Sequence, residues 1–208
     1  MKKSLWVMSG LSLVLAGCAT MYSQADLDKM AREAVEKSFS AKGIASKDRI
    51  KQDAVNLACS DSERTATPLS GEVVRKIEQE NFVAIKYPAD GKFMGDWKAG
   101  ERLAQDGRGS TYSDKAGSPN GGNCYNCHQI SKEEISHGTL GPSLYQYGKL
   151  RGNSEAVVKY TWGKLYNAKA FNACTNMPRF GHQGILTEAQ MKNLMALLLD
   201  PESPVNKN

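Results

Sequence analysis

The stretch Cys124-Tyr125-Asn126-Cys127-His128 constrains this chain more than any other. Two thiols separated by two residues, with an imidazole directly after them, suit covalent attachment of a c-type haem. Each sulfur forms a thioether with a porphyrin vinyl group, and the histidine reaches the iron from the proximal side. The same cysteine spacing occurs in thioredoxin-like dithiols and in half zinc sites. Neither explains His128, no second Cys-x-x-Cys completes a zinc cage, and no βαβ pattern surrounds the motif. The expected cofactor is one haem c, held by Cys124 and Cys127, with His128 as an axial ligand.

The N-terminus reads as an export signal. Met1-Lys2-Lys3 is a short positive segment, and the apolar run from Leu5 to Ala16 is too short to be read as a membrane-spanning helix. The run ends in Leu15-Ala16-Gly17-Cys18, which resembles a bacterial lipobox, where cleavage precedes the cysteine and the cysteine is acylated. The other reading is an ordinary signal cleaved near Ala19, with Cys18 removed. Both place the mature chain in the periplasm, where disulfides form, and the only membrane tie is lipid on Cys18. Lys2 and Lys3 supply two of the five net positive charges. The remaining acids and bases are interspersed, with no basic stripe carrying aromatics, which argues against nucleic acid as a partner. A mildly basic face suits an acidic redox partner.

The 208 residues divide into a leader over 1–18, a helical extension over 19–92 and a haem domain over 93–208. Gln24 to Phe39 has helical periodicity, with Leu27, Met30, Ala31, Ala34 and Val35 on one stripe. Ser46 or Asp48 is positioned to cap a second helix toward Cys59, and polar Asp61–Thr67 reads as a loop ending at Pro68. Ser70 caps a third helix that would bury Val73, Val74 and Ile77, and Phe82–Ile85 reads as a short segment of ambiguous period. In the haem domain Asp96 is an N-cap for a helix through Gln105. An irregular insert from Asp106 to Asn123 follows, with the character of a surface loop. Ser154 starts a helix through Tyr166. Thr187 and Gln190 have capping-box spacing before a C-terminal helix, which Pro201 stops.

A second axial ligand decides whether such an iron transfers electrons or binds small molecules. Met177 is the leading candidate: it lies between two helical stretches, in the loop Cys174-Thr175-Asn176-Met177-Pro178-Arg179-Phe180-Gly181. His182 and His137 are the rivals, while Met191 and Met195 fit helix-core positions. Arg179, Arg151, Lys149 and Trp162 are candidates for haem propionates, with solvated charge or core packing as the alternative. Counting leaves Cys59 and Cys174 to pair with each other once Cys18 is lipid-modified and Cys124 and Cys127 hold haem. The alternatives are a thiol that ligates iron, forms a mixed disulfide or contacts another subunit.

The order of helix, haem motif, Gly141-Pro142-Ser143-Leu144 turn, Met177-Pro178 and C-terminal helix resembles the class I cytochrome c fold. The resemblance implies a mainly α protein built around one covalently attached haem and preceded by the helical extension. It also implies that the Pro142 carbonyl accepts a hydrogen bond from His128 Nδ1–H, and that Met177 ligates the iron. A longer string is similar to the SoxX family, the small haem subunit of the SoxAX cytochrome of bacterial sulfur oxidation. It comprises Gly121–His128, Gly138–Leu144, Tyr147–Gly152, Tyr166-Asn167-Ala168, Met177–Gly181 and Leu197–Val205. That resemblance implies a heterodimer with the SoxA haem subunit. The complex is an L-cysteine S-thiosulfotransferase, which oxidatively joins thiosulfate to a cysteine of the carrier SoxYZ and passes electrons to a cytochrome c. In that family the catalytic site lies on SoxA, so no catalytic residue is expected in this chain. The alternatives are a free-standing class I electron shuttle and a haem subunit of another periplasmic redox complex.

Overall fold

A computed structural model describes residues 22–207. The expectations placed on the leader, including Cys18, lie outside the described residues. The chain divides after Ser40 into two compact units. In the first, Ser23 and Asp26 form a reciprocal capping box that starts helix α1 (Gln24–Ser38), and Lys37 pairs with Glu33 one turn away. The expected apolar stripe is present, but no residue of α1 is buried, and Leu27, Met30 and Val35 are exposed.

The second unit runs from Ala41 and joins residues 41–92 to the haem domain in one compact body. A 3₁₀ turn occupies Lys47–Ile50, and Ser46 makes no side-chain cap there. The cap of helix α2 (Ala54–Thr65) is instead Asp53, whose carboxylate accepts from Asn56 N–H at 2.8 Å. This helix passes through Asp61–Thr65, which the sequence suggested was loop. Those residues face water, so no apolar stripe marks them, and the helix closes on Ala66 in the left-handed conformation. Helix α3 (Gly71–Val83), capped by Ser70, buries Ile77 and Asn81 and leaves Val73 exposed. It also absorbs Phe82 and Val83, so the ambiguous segment is largely helix end; Ile85 just beyond it is buried.

Helix α4 (Trp97–Gln105) begins at Asp96 as expected, with its carboxylate accepting from Lys98 and Ala99 N–H. Helices α5 (Tyr147–Arg151) and α6 (Glu155–Tyr166) follow the haem motif, and a 3₁₀ turn at Ala168–Ala170 leads into the Met177 loop. The five-residue α5 has no side-chain cap and too few residues to show periodicity, which is why the sequence did not announce it. Helix α7 (Glu188–Leu199) carries the predicted capping box, and Leu186 and Met191, the staple pair, are both buried.

The core forms where α4 packs on α7. The approach is close enough that a Cβ on Gly100 would sit 2.2 Å from the Asn193 carbonyl oxygen, so only glycine allows it. Gly95 N–H donates to the Lys192 carbonyl and Asp96 N–H to Asn193 Oδ1, both at 2.9 Å, fixing the register of the two helices. Ala104, Trp162, Met195, Leu197 and Val205 are almost fully buried. Truncating a residue such as Leu197 to alanine costs about 2–5 kcal/mol in such surroundings. The C-terminal tail turns back to finish this core: Asn206 Nδ2 donates to the Leu198 and Asp200 carbonyls, and its Oδ1 accepts from Lys149 N–H on α5. Among the described residues there is no β-strand, only an isolated bridge between Lys42 and Ala45. The fold is mainly α and consistent with a class I cytochrome c.

Candidate haem site

The proximal side is one tight turn sewn to one loop. Asn123 takes a left-handed conformation, and Cys124–Asn126 make a 3₁₀ turn in which Cys127 N–H and His128 N–H both donate to the Cys124 carbonyl. That turn brings the two cysteines together; neither is in a disulfide. The loop 138–144 then pairs with the motif: Gly138 N–H to the Tyr125 carbonyl, Gly141 N–H to Cys127 and Leu144 N–H to Gln129, at 2.8–2.9 Å.

His128 Nδ1–H donates to the Pro142 carbonyl at 2.7 Å. A carbonyl only accepts, so the proton sits on Nδ1 and the lone pair on Nε2. This is the nitrogen an iron requires, and the bond makes it more basic. The residue before the proline matters equally. A Cβ on Gly141 would lie 2.1 Å from the His128 ring, so the imidazole occupies space that only glycine leaves. The sequence marked Pro142 and passed over this role of Gly141, although a glycine immediately before the proline was the available signal.

Tyr125, between the two cysteines, ties the motif to α4. Its buried hydroxyl donates to Glu101 Oε1 at 2.9 Å and lies 2.9 Å from Ser131 Oγ. Burial, and secondarily the neighbouring Glu101, raise the Tyr125 pKa, so it remains a donor. Burial likewise pushes the Cys124 thiol up to about 12. Gly122 lies against it, with a hypothetical Cβ 3.1 Å from Cys124 Sγ, while its N–H donates to the Leu103 carbonyl near the end of α4.

The distal loop is held differently. Cys59 on α2 and Cys174 form a disulfide, with Cα atoms 5.5 Å apart. Ala173 N–H donates to Glu78 Oε1 on α3, and the Arg179 guanidinium, buried, pairs with Asp53. Burial works against the Asp53 charge, but the Asn56 N–H and Arg179 together overcome it and hold its carboxyl below the usual value. Lys169 is buried beside them, donating to the Ala173 carbonyl at 3.0 Å; desolvation and then Arg179 lower its pKa. Met177 is half-buried, packs against the core cluster and also lines a cleft of about 340 Å³ shared with α2. Asp53, Glu78 and Lys169 were not singled out from the sequence, because nothing local links them to residues a hundred positions away.

Neither rival ligand is buried. His182 is exposed, its backbone N–H bound to the Tyr166 carbonyl, and His137 Nδ1 lies 3.3 Å from the Gly138 carbonyl oxygen. Of the propionate candidates, Trp162 uses its indole N–H on the Lys86 carbonyl at 2.8 Å and Arg179 is committed to Asp53. Arg151 stacks over the Tyr147 ring. Among the described residues, no cluster of three or more histidine, cysteine or acidic side chains forms a free-standing metal site. The residues present fit haem c: two unpaired cysteines on one turn, an imidazole oriented through Nδ1, and a glycine cradle under it.

The family profile described as cytochrome c matches residues 97–200, from the start of α4 to the end of α7. An uncharacterised lipoprotein of Aquifex aeolicus (strain VF5) is 39% identical over 158 residues, which cover 75% of this chain and 73% of that protein.

Proposed function

This chain belongs to the cytochrome c family, whose members carry covalently bound haem c and transfer electrons, and from that premise we propose that it is the electron-accepting subunit of a SoxAX complex. The observation that carries the electron-transfer part is the His128 Nδ1–H bond to Pro142 above the Gly141 cradle, which fits an imidazole permanently committed to iron. The SoxAX part rests on the ordered string from Gly121 to Val205; its last residues, with Asn206 directly after them, finish the core against α5 and α7.

In this reading Cys124 and Cys127 would hold one haem c, and His128 and Met177 would ligate its iron. Bound there, the haem supplies reversible one-electron chemistry, with the thioether favouring the ferrous state. Thiosulfate joins a cysteine of SoxYZ on the partner SoxA with loss of two electrons and the thiol proton. This chain takes the electrons one at a time and hands them to a soluble cytochrome c. The packing of half-buried Met177 against the core supports its staying in place to exclude competing ligands. The protein works in the periplasm, anchored by lipid on Cys18; the lipobox-like Leu15–Cys18 and the lipoprotein relative support this. Among the described residues no helix is long and apolar enough to cross a membrane.

The test is purification of the full chain from its native membrane and periplasmic fractions. A second haem subunit that co-purifies, with thiosulfate- and SoxYZ-dependent reduction of this haem, supports the proposal. A stable monomer whose haem is not reduced under those conditions identifies a free-standing shuttle instead. A weak near-infrared sulfur-to-iron band in the ferric spectrum tests Met177 separately.

A further inference from the structure

We infer that Asp53, acting through Arg179, is a positioning residue for the Met177 ligand, so that the segment before the haem domain governs how firmly the distal side stays closed. The inference rests on the reading of Met177 as an iron ligand. Its basis is the way the loop is anchored. Upstream, Cys174 is bonded covalently to Cys59 and Ala173 N–H is bound to Glu78. Downstream, Arg179 is buried and paired with Asp53, and Gly181 and His182 N–H both donate to the Tyr166 carbonyl. Between these anchors the bonds are short-range, Thr175 N–H to the Asn172 carbonyl and Met177 N–H to Thr175 Oγ1. The conformation of Met177 is therefore set by where its two ends are fixed, three residues before it and two after.

The two anchors differ in chemistry but converge on one element. Cys59 lies within α2 and Asp53 caps its first turn, so a single helix grips both flanks of the loop. Among the described residues the ion pair of Arg179 is with Asp53, and Lys169 beside it is a further cation. Losing the Asp53 charge leaves two buried cations facing each other, and the loop relieves that repulsion by moving outward toward the cleft that Met177 already lines. The disulfide alone cannot oppose this movement, because it holds only the upstream end.

The test uses the full chain with its haem attached and the variant Asp53→Asn. Asparagine keeps the volume and is an equally good helix cap, so α2 is preserved while the ion pair is lost. Imidazole added to the ferric protein binds only molecules in which the methionine has left the iron, so its apparent affinity reports the open fraction. Asp53→Asn is expected to bind imidazole about tenfold more tightly than the unaltered chain, and to lose its sulfur-to-iron band at correspondingly lower imidazole. Asp61→Asn is the control: it removes the same charge from the same helix, where the carboxylate pairs with Arg64 on the exposed surface. Arg179→Gln placed on Asp53→Asn is expected to add less than it does alone, as for two residues acting through one contact. Equal imidazole binding by Asp53→Asn and Asp61→Asn overturns the inference and leaves the ligand reading intact. A missing sulfur-to-iron band in the unaltered ferric chain overturns the ligand reading, and the inference with it.

Discussion

His128 takes its orienting bond from Pro142, 14 residues away, whereas the loop of Met177 is tied to Cys59 and Asp53 at separations of 115 and 126 residues. The two halves of the candidate site are thus held by different physics. On the proximal side a turn, a paired loop and a missing Cβ do the work, all within one short stretch of chain. Local closure costs little entropy, so this side can form early and alone. On the distal side the restraint comes from α2 and α3, outside the segment that resembles a minimal cytochrome. The difference teaches that α2 and α3 restrain the loop of Met177 at both ends; on the proposed reading, that restraint would help a weak thioether bond to iron persist.

The largest expected effect breaks the proximal half outright. Replacing both Cys124 and Cys127 by serine should abolish covalent haem, so that acidified organic solvent extracts all porphyrin from the protein; retention of any haem would contradict the attachment. Next, Cys59→Ser with Cys174→Ser should lower the unfolding free energy by close to 5 kcal/mol, the loop-entropy value for a closed ring of this length. Denaturant titration measures it. The sharper expectation is spectroscopic: the sulfur-to-iron band should weaken while the haem stays covalently attached.

Gly141→Ala sharpens the comparison from the other side. The added methyl meets the His128 ring at 2.1 Å, and overpacking of this kind costs about 1–3 kcal/mol. Its signature should be a changed proximal geometry, read from the histidine ring resonances and a shifted reduction potential, with the distal disulfide intact.

The smallest effect is in acid. The Asp53 pKa is lowered on folding: burial raises it, but the Asn56 N–H and Arg179 outweigh burial. A depressed carboxyl contributes stability above its unfolded value of 3.8 and loses that contribution as pH falls through the lower folded value. Melting temperatures of the unaltered chain should therefore fall more steeply below pH 3.8 than those of Asp53→Asn, while the two profiles run parallel above pH 5.

These contrasts also explain which parts were legible in the sequence. The Cys124–His128 motif, the Gly141-Pro142 turn and the Thr187–Gln190 capping box are each specified by neighbours, and each stands where the residues placed it. The Cys59–Cys174 pairing was reachable by counting alone. By contrast, Asp53 is the cap of α2, accepting from Asn56 N–H and pairing with Arg179, although Ser46 and Asp48 offered equally good chemistry. The same holds for Asn81 with Asn167 and for Lys86 with Trp162, partners 86 and 76 residues apart. The Asp61–Thr65 turn of α2 was missed for the opposite reason: its polar residues carry no periodic signal, and its helical state follows from continuity with the turn that holds Cys59.

One consequence of the Cys59–Cys174 bond is mechanical. The bond closes a covalent ring that contains the entire Cys124–His128 turn and its Pro142 partner. Tension applied between the two ends of the chain crosses from residue 59 to residue 174 through sulfur, and the 114 residues between them carry no load. A chain pulled at its two ends would load the stretch before Cys59 and the stretch after Cys174, while the Cys124–His128 turn rides in a slack circuit off the line of force.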